Sequence, residues 1–317
     1  MNELEYTLPI KLKENIQKVI IGKEDVINKV ILAFLAGGHV LLEDVPGVGK
    51  TLLAKALAKS IKGVFKRVQC TPDLLPSDIT GINIFDQKTG NFEFVPGPVF
   101  SNVLLVDEIN RATPRTQSSL LEAMEEFQVS VDGNNRELPK PFFVIATQNP
   151  AELYGTFPLP GSQMDRFFFS LSIGYPALED ERNMLIKHKE SQVMERNLLL
   201  GQELDAVLTL EDVNNLQNTI FKVHVSPEIE YYILRLITGT RSDSRINLGG
   251  SPRASIIIMR AAQSHAFLEK RNYVIPDDVK IIAPYVLSHR LMLSHGFSRK
   301  QAEVLIDEIL KNTPVET

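Results

Sequence analysis

The chain has 317 residues, 44% of them hydrophobic, which is enough to bury a large core and predicts two domains. Its net charge of −5 and the lack of a long basic run argue against a strong grip on nucleic acid, although a basic pore formed on assembly stays open. The single cysteine, Cys70, excludes an intrachain disulfide and suits a reducing cytoplasm, and no apolar run approaches the roughly 18 residues of a membrane span.

A glycine-bearing loop lies between a predicted buried strand, residues 40–42, and a predicted helix, residues 52–58. The loop, residues 44–51, reads DVPGVGKT, which is typical of the phosphate-binding loop of nucleoside triphosphatases. The usual pattern opens with glycine, whereas this chain has Asp44 at that position. The loop therefore predicts a nucleotide site, with one departure from the pattern.

Four residues of this loop have predicted roles in binding a nucleotide with its metal. Gly47 and Gly49 let backbone N–H groups approach the phosphates without a Cβ in the way, and the positive end of the following helix faces the same anion. Lys50 is expected to reach the β- and γ-phosphates, and Thr51 to place its hydroxyl on a magnesium ion.

Two insertions between the core strands have the pattern of β-hairpins. Residues 82–85 and 92–95 alternate roughly with period two around a turn. Asp132-Gly133 marks a second hairpin after residues 127–131. Both hairpins are expected as insertions between core strands.

A second motif, residues 102–108, reads NVLLVDE and predicts a central parallel strand that ends in two carboxylates. Burying ionised carboxylates at the end of a strand costs free energy unless a positive charge lies beside them, and a magnesium ion would supply that charge. Asp107 is expected to help hold the hydrated metal, and Glu108 to orient or deprotonate the attacking water. The structural alternative is a strand that simply runs out into a polar loop.

A third predicted strand, residues 142–147, is followed by Gln148, Asn149 and Pro150. A polar side chain that leaves this strand can lie beside the γ-phosphate, because the strand is expected to neighbour the one that ends at Asp107. Asn149 is the first candidate and Thr147 the second. The alternative is that Asn149 only begins a turn before the proline.

Two arginines later in the chain are candidates for contact with phosphate. Ser251 and Pro252 predict a helix start, which places Arg253 in the first turn, where the helix dipole disfavours a cation. A phosphate facing Arg253 would explain this position, and a solvated surface arginine is the alternative. Arg166 follows Asp165 ahead of an apolar strand, and its alternative role is an internal ion pair with Asp165 or another acid.

The fold class expected is α/β, with a parallel sheet covered by helices on both faces and followed by a small all-helical lid. Strands and helices alternate before Tyr175-Pro176, and helical patterns dominate after it. We therefore predict a nucleotide-binding core over residues 1–175 and a helical lid domain over residues 176–317.

The chain resembles AAA+ ATPases, most closely the MoxR family, over nearly its full length. The resemblance rests on five runs of sequence, EDVPGVGKT, LLVDEINRATPRTQSSLLEAMEE, FFVIATQNP, GSQMDRF and GGSPRA. Aspartate is common in the family where Asp44 stands. By motif position the resemblance implies that Asn149 is the first sensor, Arg166 the arginine finger supplied to a neighbouring subunit, and Arg253 the second sensor. Residues 19–22 look like the segment that packs against adenine.

These observations and the resemblance together give one set of expected site residues. The catalytic residues are Glu108, Lys50, Asn149 and Arg166. The nucleotide-binding residues are Ile21, Gly22, Val45, Pro46, Gly47, Val48, Gly49, Lys50, Thr51, Leu52 and Arg253. The metal ligands are Thr51 and Asp107, and the metal is magnesium, since the six histidines show no metal-ligand spacing.

The resemblance implies an ATP-hydrolysing ring, expected to be a hexamer, that remodels or activates partner protein complexes in the cytoplasm. It implies that some partners carry a von Willebrand factor A domain, and that the hairpins touch a substrate or line the pore. The alternative is that the hairpins are purely structural, and only cover part of the surface or pack on a neighbouring subunit. Three other functions stay open, namely a nucleic-acid motor, a magnesium-chelatase-type motor subunit, and a nucleotide-gated scaffold with little turnover.

Overall fold

The computed structural model describes residues 3–43, 47–149, 155–193, 204–294 and 299–315. The strands are β1 (Val40–Glu43), β2 (Phe65–Gln69), β3 (Gly81–Asp86), β4 (Asn91–Pro96), β5 (Val103–Asp107), β6 (Gln128–Val131), β7 (Asn134–Glu137), β8 (Phe143–Gln148), β9 (Phe169–Leu171), β10 (Ile246–Leu248) and β11 (Met292–Leu293). The helices are α1 (Glu3–Gln17), α2 (Glu24–Leu35), α3 (Lys50–Ser60), α4 (Pro76–Thr80), α5 (Pro114–Glu126), α6 (Gly161–Met164), α7 (Leu178–Val193), α8 (Leu210–Ile220), α9 (Pro227–Ser242), α10 (Pro252–Leu268), α11 (Pro276–Leu287) and α12 (Arg299–Asn312).

Five parallel strands form the central sheet in the order β2-β5-β8-β1-β9. The strand that carries Asp107 therefore lies beside the strand that leads to Asn149, as the sequence predicted. Because the strands are parallel, their carboxyl ends share one edge of the sheet and their amino ends share the other. We call these the carboxyl edge and the amino edge.

The sheet is buried on both faces, since successive residues of its strands belong to different apolar clusters. On β5, Val103 and Leu105 pack into the cluster that includes α1, α2 and α3, whereas Leu104 and Val106 pack into the cluster that includes α5. Alternate side chains point to opposite faces of a strand, so a run of four apolar residues is what a doubly covered strand requires. The predicted α/β fold is confirmed.

The second half of the chain is helical, as predicted, with one small addition. After β9, the helices α7 to α12 follow one another, and β10 pairs with β11 in a short antiparallel ladder. The N-terminus of α8 is fixed by a capping box, in which Thr209 and Asp212 bond each other's backbone N–H groups. In the ranges that the structure describes, no helix is long and apolar enough to cross a membrane.

Both predicted hairpins are present, as β3–β4 and β6–β7. They contact each other, since the Asn83 amide donates to the Asp132 carboxylate at 2.6 Å. The Arg136 guanidinium also lies 3.8 Å from the centre of the Phe94 ring. The outer part of the first hairpin is apolar and exposed, with Phe85 and Phe92 in edge-to-face contact.

Candidate active site

The phosphate loop connects the carboxyl end of β1 to the first turn of α3. Gly47 and Gly49 have φ angles of +86° and +93°, in the left-handed region that favours glycine. No atom of the described residues lies within 4 Å of an ideal Cβ at either position, so the backbone conformation is what demands glycine. The predicted nucleotide ligands Val45 and Pro46 lie outside the described residues.

The amino end of α3 is suited to bind an anion. Gly49 is its N-cap residue and has no side chain to accept a hydrogen bond from the first turn. The first N–H groups of an α-helix have no acceptor within the helix itself, and the helix dipole favours negative charge at this end. Val48 packs partly against the core cluster beneath the loop.

Asp107 is the last residue of β5, and only 8% of its surface is exposed. Its Oδ2 accepts a hydrogen bond from Arg67 Nε at 2.6 Å, and its Oδ1 accepts one from Thr147 Oγ1 at 3.3 Å. The side chain is thus held at the carboxyl edge by β2 on one side and β8 on the other. A cation and a hydroxyl group therefore contact the two oxygens of this carboxylate.

Glu108 leaves the end of β5 in the left-handed conformation, with a φ of +56°. Its Oε2 accepts hydrogen bonds from Gln69 Nε2 at 2.8 Å and from Arg111 NH1 at 2.9 Å. Its backbone N–H donates to Thr147 Oγ1 at 2.9 Å. A non-glycine residue in this conformation is uncommon, and three contacts hold it there, so the position of the carboxylate is well defined.

The two sensor candidates on β8 have different surroundings. The Thr147 hydroxyl bridges the Asp107 carboxylate and the Glu108 backbone, so its observed role is to join the two acids. Asn149 follows the last residue of β8 and lies at the same edge. The sensor role of Asn149 stays a prediction, and Thr147 is a positioning group for both acids.

The residues at this edge fit a hydrated magnesium ion. The Asp107 carboxylate and the Thr51 hydroxyl offer hard oxygen ligands, and magnesium in nucleotide sites takes few protein ligands besides water and phosphate. Within the described ranges there is no group of three or more His, Cys, Asp or Glu side chains that would bind a softer metal. The donor set therefore matches magnesium carried in with a nucleotide.

The segment expected to contact adenine lies between α1 and α2. Gly22 has a φ of +65°, and a Cβ there would lie 2.2 Å from a carboxylate oxygen of Asp180 on α7. Next to it, Lys23 Nζ donates to the Tyr175 carbonyl at 2.5 Å. The loop with Ile21 and Gly22 is therefore packed against the connection between the core and the lid.

Arg166 and Arg253 lie at the opposite edge of the sheet. Arg166 precedes β9, whose first residue Phe169 is paired with Val40, the first residue of β1. Arg166 NH1 is 3.1 Å from Glu125 Oε2 near the end of α5, and Arg253 NH2 contacts the other oxygen of the same carboxylate. The structure brings these two arginines together at the amino edge, and away from the phosphate loop of their own chain.

The acid next to Arg166 has a different partner. Asp165 Oδ1 accepts from Arg290 Nε at 2.8 Å, and Asp165 Oδ2 accepts from Ser251 Oγ at 2.8 Å. Ser251 is the N-cap residue of α10, so the lid holds the segment that carries Arg166. The sequence left open an ion pair of Arg166 with Asp165 or with another acid. In the structure Arg166 pairs with Glu125, not with Asp165.

Several partners of the site residues were not found from the sequence. Arg67 and Gln69 stand two apart on β2 and therefore share one face of the strand, where Arg67 bonds Asp107 and Gln69 bonds Glu108. The pairing of β2 with β5 was needed to see this. Glu43 and Arg299, which bond each other at the carboxyl edge, were also missed.

Family models match both parts of the chain. A model described as "ATPase family associated with various cellular activities (AAA)" matches residues 39–169, and one described as "AAA lid domain" matches residues 238–309. The first match includes the phosphate loop, both acids and Arg166, and the second includes Arg253. The two matches thus separate a nucleotide-binding core from a lid.

The chain is also similar to curated relatives and to a solved structure over nearly its full length. The chain is 48% identical to the uncharacterized protein YeaC of Bacillus subtilis, over 96% of this chain and 94% of that one. It is 38% identical to chaperone MoxR1 of Mycobacterium tuberculosis, over 93% of this chain and 79% of that one. The crystal structure of a provisionally assigned ATPase from Cytophaga hutchinsonii superposes with a TM-score of 0.88 at 38% identity, covering 99% of this chain and 97% of that one. The chain therefore belongs to the MoxR family of AAA ATPases.

Proposed function

We propose that the protein is a magnesium-dependent ATPase whose chemical step takes place at the carboxyl edge of the sheet. The observation that carries this proposal is the pair of acids Asp107 and Glu108, fixed by Arg67, Gln69 and Thr147 next to the phosphate loop. A buried strand that ends in two acids held in separate orientations is suited to two tasks, binding a metal and activating water.

In this mechanism each group acts on a different part of ATP. Backbone N–H groups of the loop and Lys50 hold the phosphates, and Thr51 and Asp107 would hold magnesium, which neutralises charge on the β- and γ-phosphates when bound. Glu108 accepts a proton from, or orients, the attacking water, and Asn149 positions the γ-phosphate. The products are ADP and inorganic phosphate.

The position of the two arginines supports a site that is completed between subunits. Arg166 and Arg253 lie at the amino edge, while the phosphate loop lies at the carboxyl edge. In a ring with head-to-tail contacts, the amino edge of one subunit faces a different surface of the next. We therefore assign both arginines to the nucleotide of a neighbouring subunit in a ring expected to be a hexamer. An arginine supplied in this way is worth about 10³–10⁵ in rate.

The remodelling role rests on the family and on the first hairpin. A relative is named a chaperone, and Phe85 and Phe92 expose apolar surface on a hairpin that projects from the core. Exposed apolar surface of this kind suits contact with a protein client. We propose clients of this class, including proteins with a von Willebrand factor A domain. The buried single thiol of Cys70 is consistent with work in the cytoplasm.

The test is ATP turnover by the purified chain with magnesium, with EDTA in its place, and with Lys50→Ala as the matched variant. Turnover that needs magnesium and Lys50 is the expected result. Turnover that survives both changes would contradict the proposal. Tight ATP binding without turnover at any protein concentration would favour a nucleotide-gated scaffold, and stimulation by DNA or RNA but not by protein clients would favour a nucleic-acid motor. Turnover that appears only with a chelatase partner would favour the chelatase-type motor.

A further inference from the structure

Arg299, the first residue of α12, reaches from the lid to the carboxyl edge of the sheet. Its NH1 donates to Glu43 Oε2 at 3.2 Å, and its NH2 donates to the Ser170 carbonyl at 2.9 Å. Its Nε donates to Glu303 Oε1 at 3.0 Å, one turn along the same helix. All three nitrogens of the guanidinium are therefore used, which fixes the plane of the group.

Glu43 is the last residue of β1 and directly precedes the phosphate loop. Its side chain is 9% exposed, so its charge needs a partner. Its Oε1 accepts from Gln148 Nε2 at 2.5 Å, and its Oε2 accepts from Ser170 Oγ at 2.6 Å as well as from Arg299. One carboxylate thus joins the carboxyl ends of β1 and β8 to the middle residue of β9.

Glu43 and its partner Gln148 each directly precede, in sequence, a part of the proposed nucleotide site. The residue after Glu43 begins the phosphate loop, and the residue after Gln148 is Asn149. Arg299 is therefore a lid cation that bonds to the strands from which the loop and the sensor candidate extend. Arg253, by contrast, meets the core at the amino edge, where it lines a cavity with the residues that precede β1.

We propose that Arg299 is a positioning residue that couples the lid to nucleotide binding within the same subunit, acting through Glu43 and Gln148. The inference rests on the proposed function, since it concerns the same phosphate loop. Without Arg299 the largely buried carboxylate of Glu43 loses its cationic partner, and the end of β1 shifts to hydrate it. A shift there moves the loop and Asn149 together. Because coupling is reciprocal, nucleotide in the loop changes how firmly the lid is held.

The test compares two arginines of the lid, Arg299 and Arg245, each of which bonds a glutamate of α12. Arg299→Gln removes the bond to Glu43, whereas the control Arg245→Gln removes bonds to Asp243 and to Glu308 of α12 without touching the core. The full chain is titrated with a fluorescent ATP analogue, and its melting temperature is measured in parallel. We expect Arg299→Gln to weaken nucleotide binding on the order of tenfold, within the usual range for coupled sites. We expect Arg245→Gln to bind within about twofold of wild type.

Two further variants separate positioning from folding. Arg299→Lys keeps the charge but not the planar fork, so its affinity should lie between those of wild type and Arg299→Gln. The double variant Glu43→Gln/Arg299→Gln should bind the nucleotide no more weakly than whichever single variant binds it less tightly. The reason is that both substitutions break the same bond between Arg299 and Glu43. If Arg299→Gln does not fold, Arg299→Lys and Glu43→Gln carry the same comparison.

The outcomes distinguish this inference from the proposed function. Wild-type affinity in Arg299→Gln and Arg299→Lys, with only a lower melting temperature, would show a purely structural ion pair and overturn the inference. Additive losses in the double variant would overturn it as well. Failure of the wild-type chain to bind the ATP analogue would overturn the proposed function first, and this inference with it.

Discussion

Arg166 of the core and Arg253 of the lid contact the two oxygens of one carboxylate, that of Glu125 on α5. At this carboxylate the positive charge of two arginines exceeds the negative charge of one acid. Arg260 adds to it, since it lines the same cavity of about 250 Å³. A phosphate carries more negative charge than a carboxylate, so a neighbour's nucleotide would draw both arginines away from Glu125.

Glu125→Gln should therefore make the site between subunits easier to complete. All three side chains are about one-third exposed, so each pair is worth no more than a surface salt bridge. The protein concentration at which the ATPase rate per subunit is half-maximal should fall by about two- to fivefold. The control is Glu230→Gln, which changes an exposed glutamate of α9 in the lid. If the half-maximal protein concentration of Glu125→Gln is unchanged or higher, the two arginines do not leave Glu125 for a neighbour's nucleotide.

Asp165→Asn should destabilise the contact between the core and the lid. Arg290 is 6% exposed, and burial lowers its pKa to about 10 while Asp165 opposes that change. Removing the acid leaves a buried cation without its counter-charge, which costs about 3 kcal/mol. Urea denaturation measures the loss. Asp243→Asn, which breaks the pair with the half-exposed Arg245, should change stability little. An equally small change in Asp165→Asn would show that the pair with the buried Arg290 adds no more stability than the pair with Arg245.

The stability of the chain should depend on pH through His39, at the amino end of β1. Its Nδ1 accepts from the Val144 N–H at 3.0 Å, and its Nε2–H donates to the Met124 carbonyl at 3.0 Å, so the neutral ring is fully bonded. Burial lowers the pKa of His39 to about 4. An unfolded histidine takes up its proton near pH 6.5, so the unfolded chain binds more protons between about pH 6.5 and pH 4. The free energy of unfolding then falls as the pH falls through this window.

Between pH 7.5 and pH 5 the contribution of His39 should fall by about 2 kcal/mol. Urea denaturation at the two pH values checks this for wild type and for His39→Asn, whose pH dependence should be smaller by that amount. His224→Asn, at an exposed position, should keep the wild-type pH dependence. Equal pH dependence in wild type and His39→Asn would mean that His39 is not held neutral by its burial.

Glu108→Gln should bind ATP normally but turn it over slowly. The amide keeps the shape of the side chain and its position beside Gln69, yet it cannot accept a proton from water. We expect the turnover number to fall by about 100-fold or more, with the dissociation constant for ATP unchanged. A single-turnover assay with a filter-binding measurement separates the two quantities. The exposed Glu228→Gln in the lid is the matched control, and wild-type turnover in Glu108→Gln would remove Glu108 from its role.

Much of the core could be predicted because its signals are local. The phosphate loop, the strand that ends at Asp107 and both hairpins are each contained in a short stretch of sequence. Four apolar residues in succession predicted a strand buried on both faces, and β5 is such a strand.

The contacts between distant parts of the chain could not be predicted in this way. Arg67 reaches Asp107 only because β2 pairs with β5, and Glu43 meets Arg299 across 256 positions of sequence. A single basic residue on a helix has many acids within possible reach, and the pattern of one sequence does not select among them. The edge of the sheet at which Arg253 lies was likewise set by the packing of α10 against the core.

In the proposed ring, each ATPase site contains Glu108 of one subunit and Arg166 of the next. Mixing Arg166→Ala with Glu108→Gln subunits tests it most directly, since each variant alone lacks one half of every site. If the site forms between subunits, a random equal mixture regains about one quarter of the wild-type rate, because one contact in four then joins an intact Glu108 to an intact Arg166. If both residues must come from the same subunit, no mixture of the two variants exceeds the rate of either variant alone.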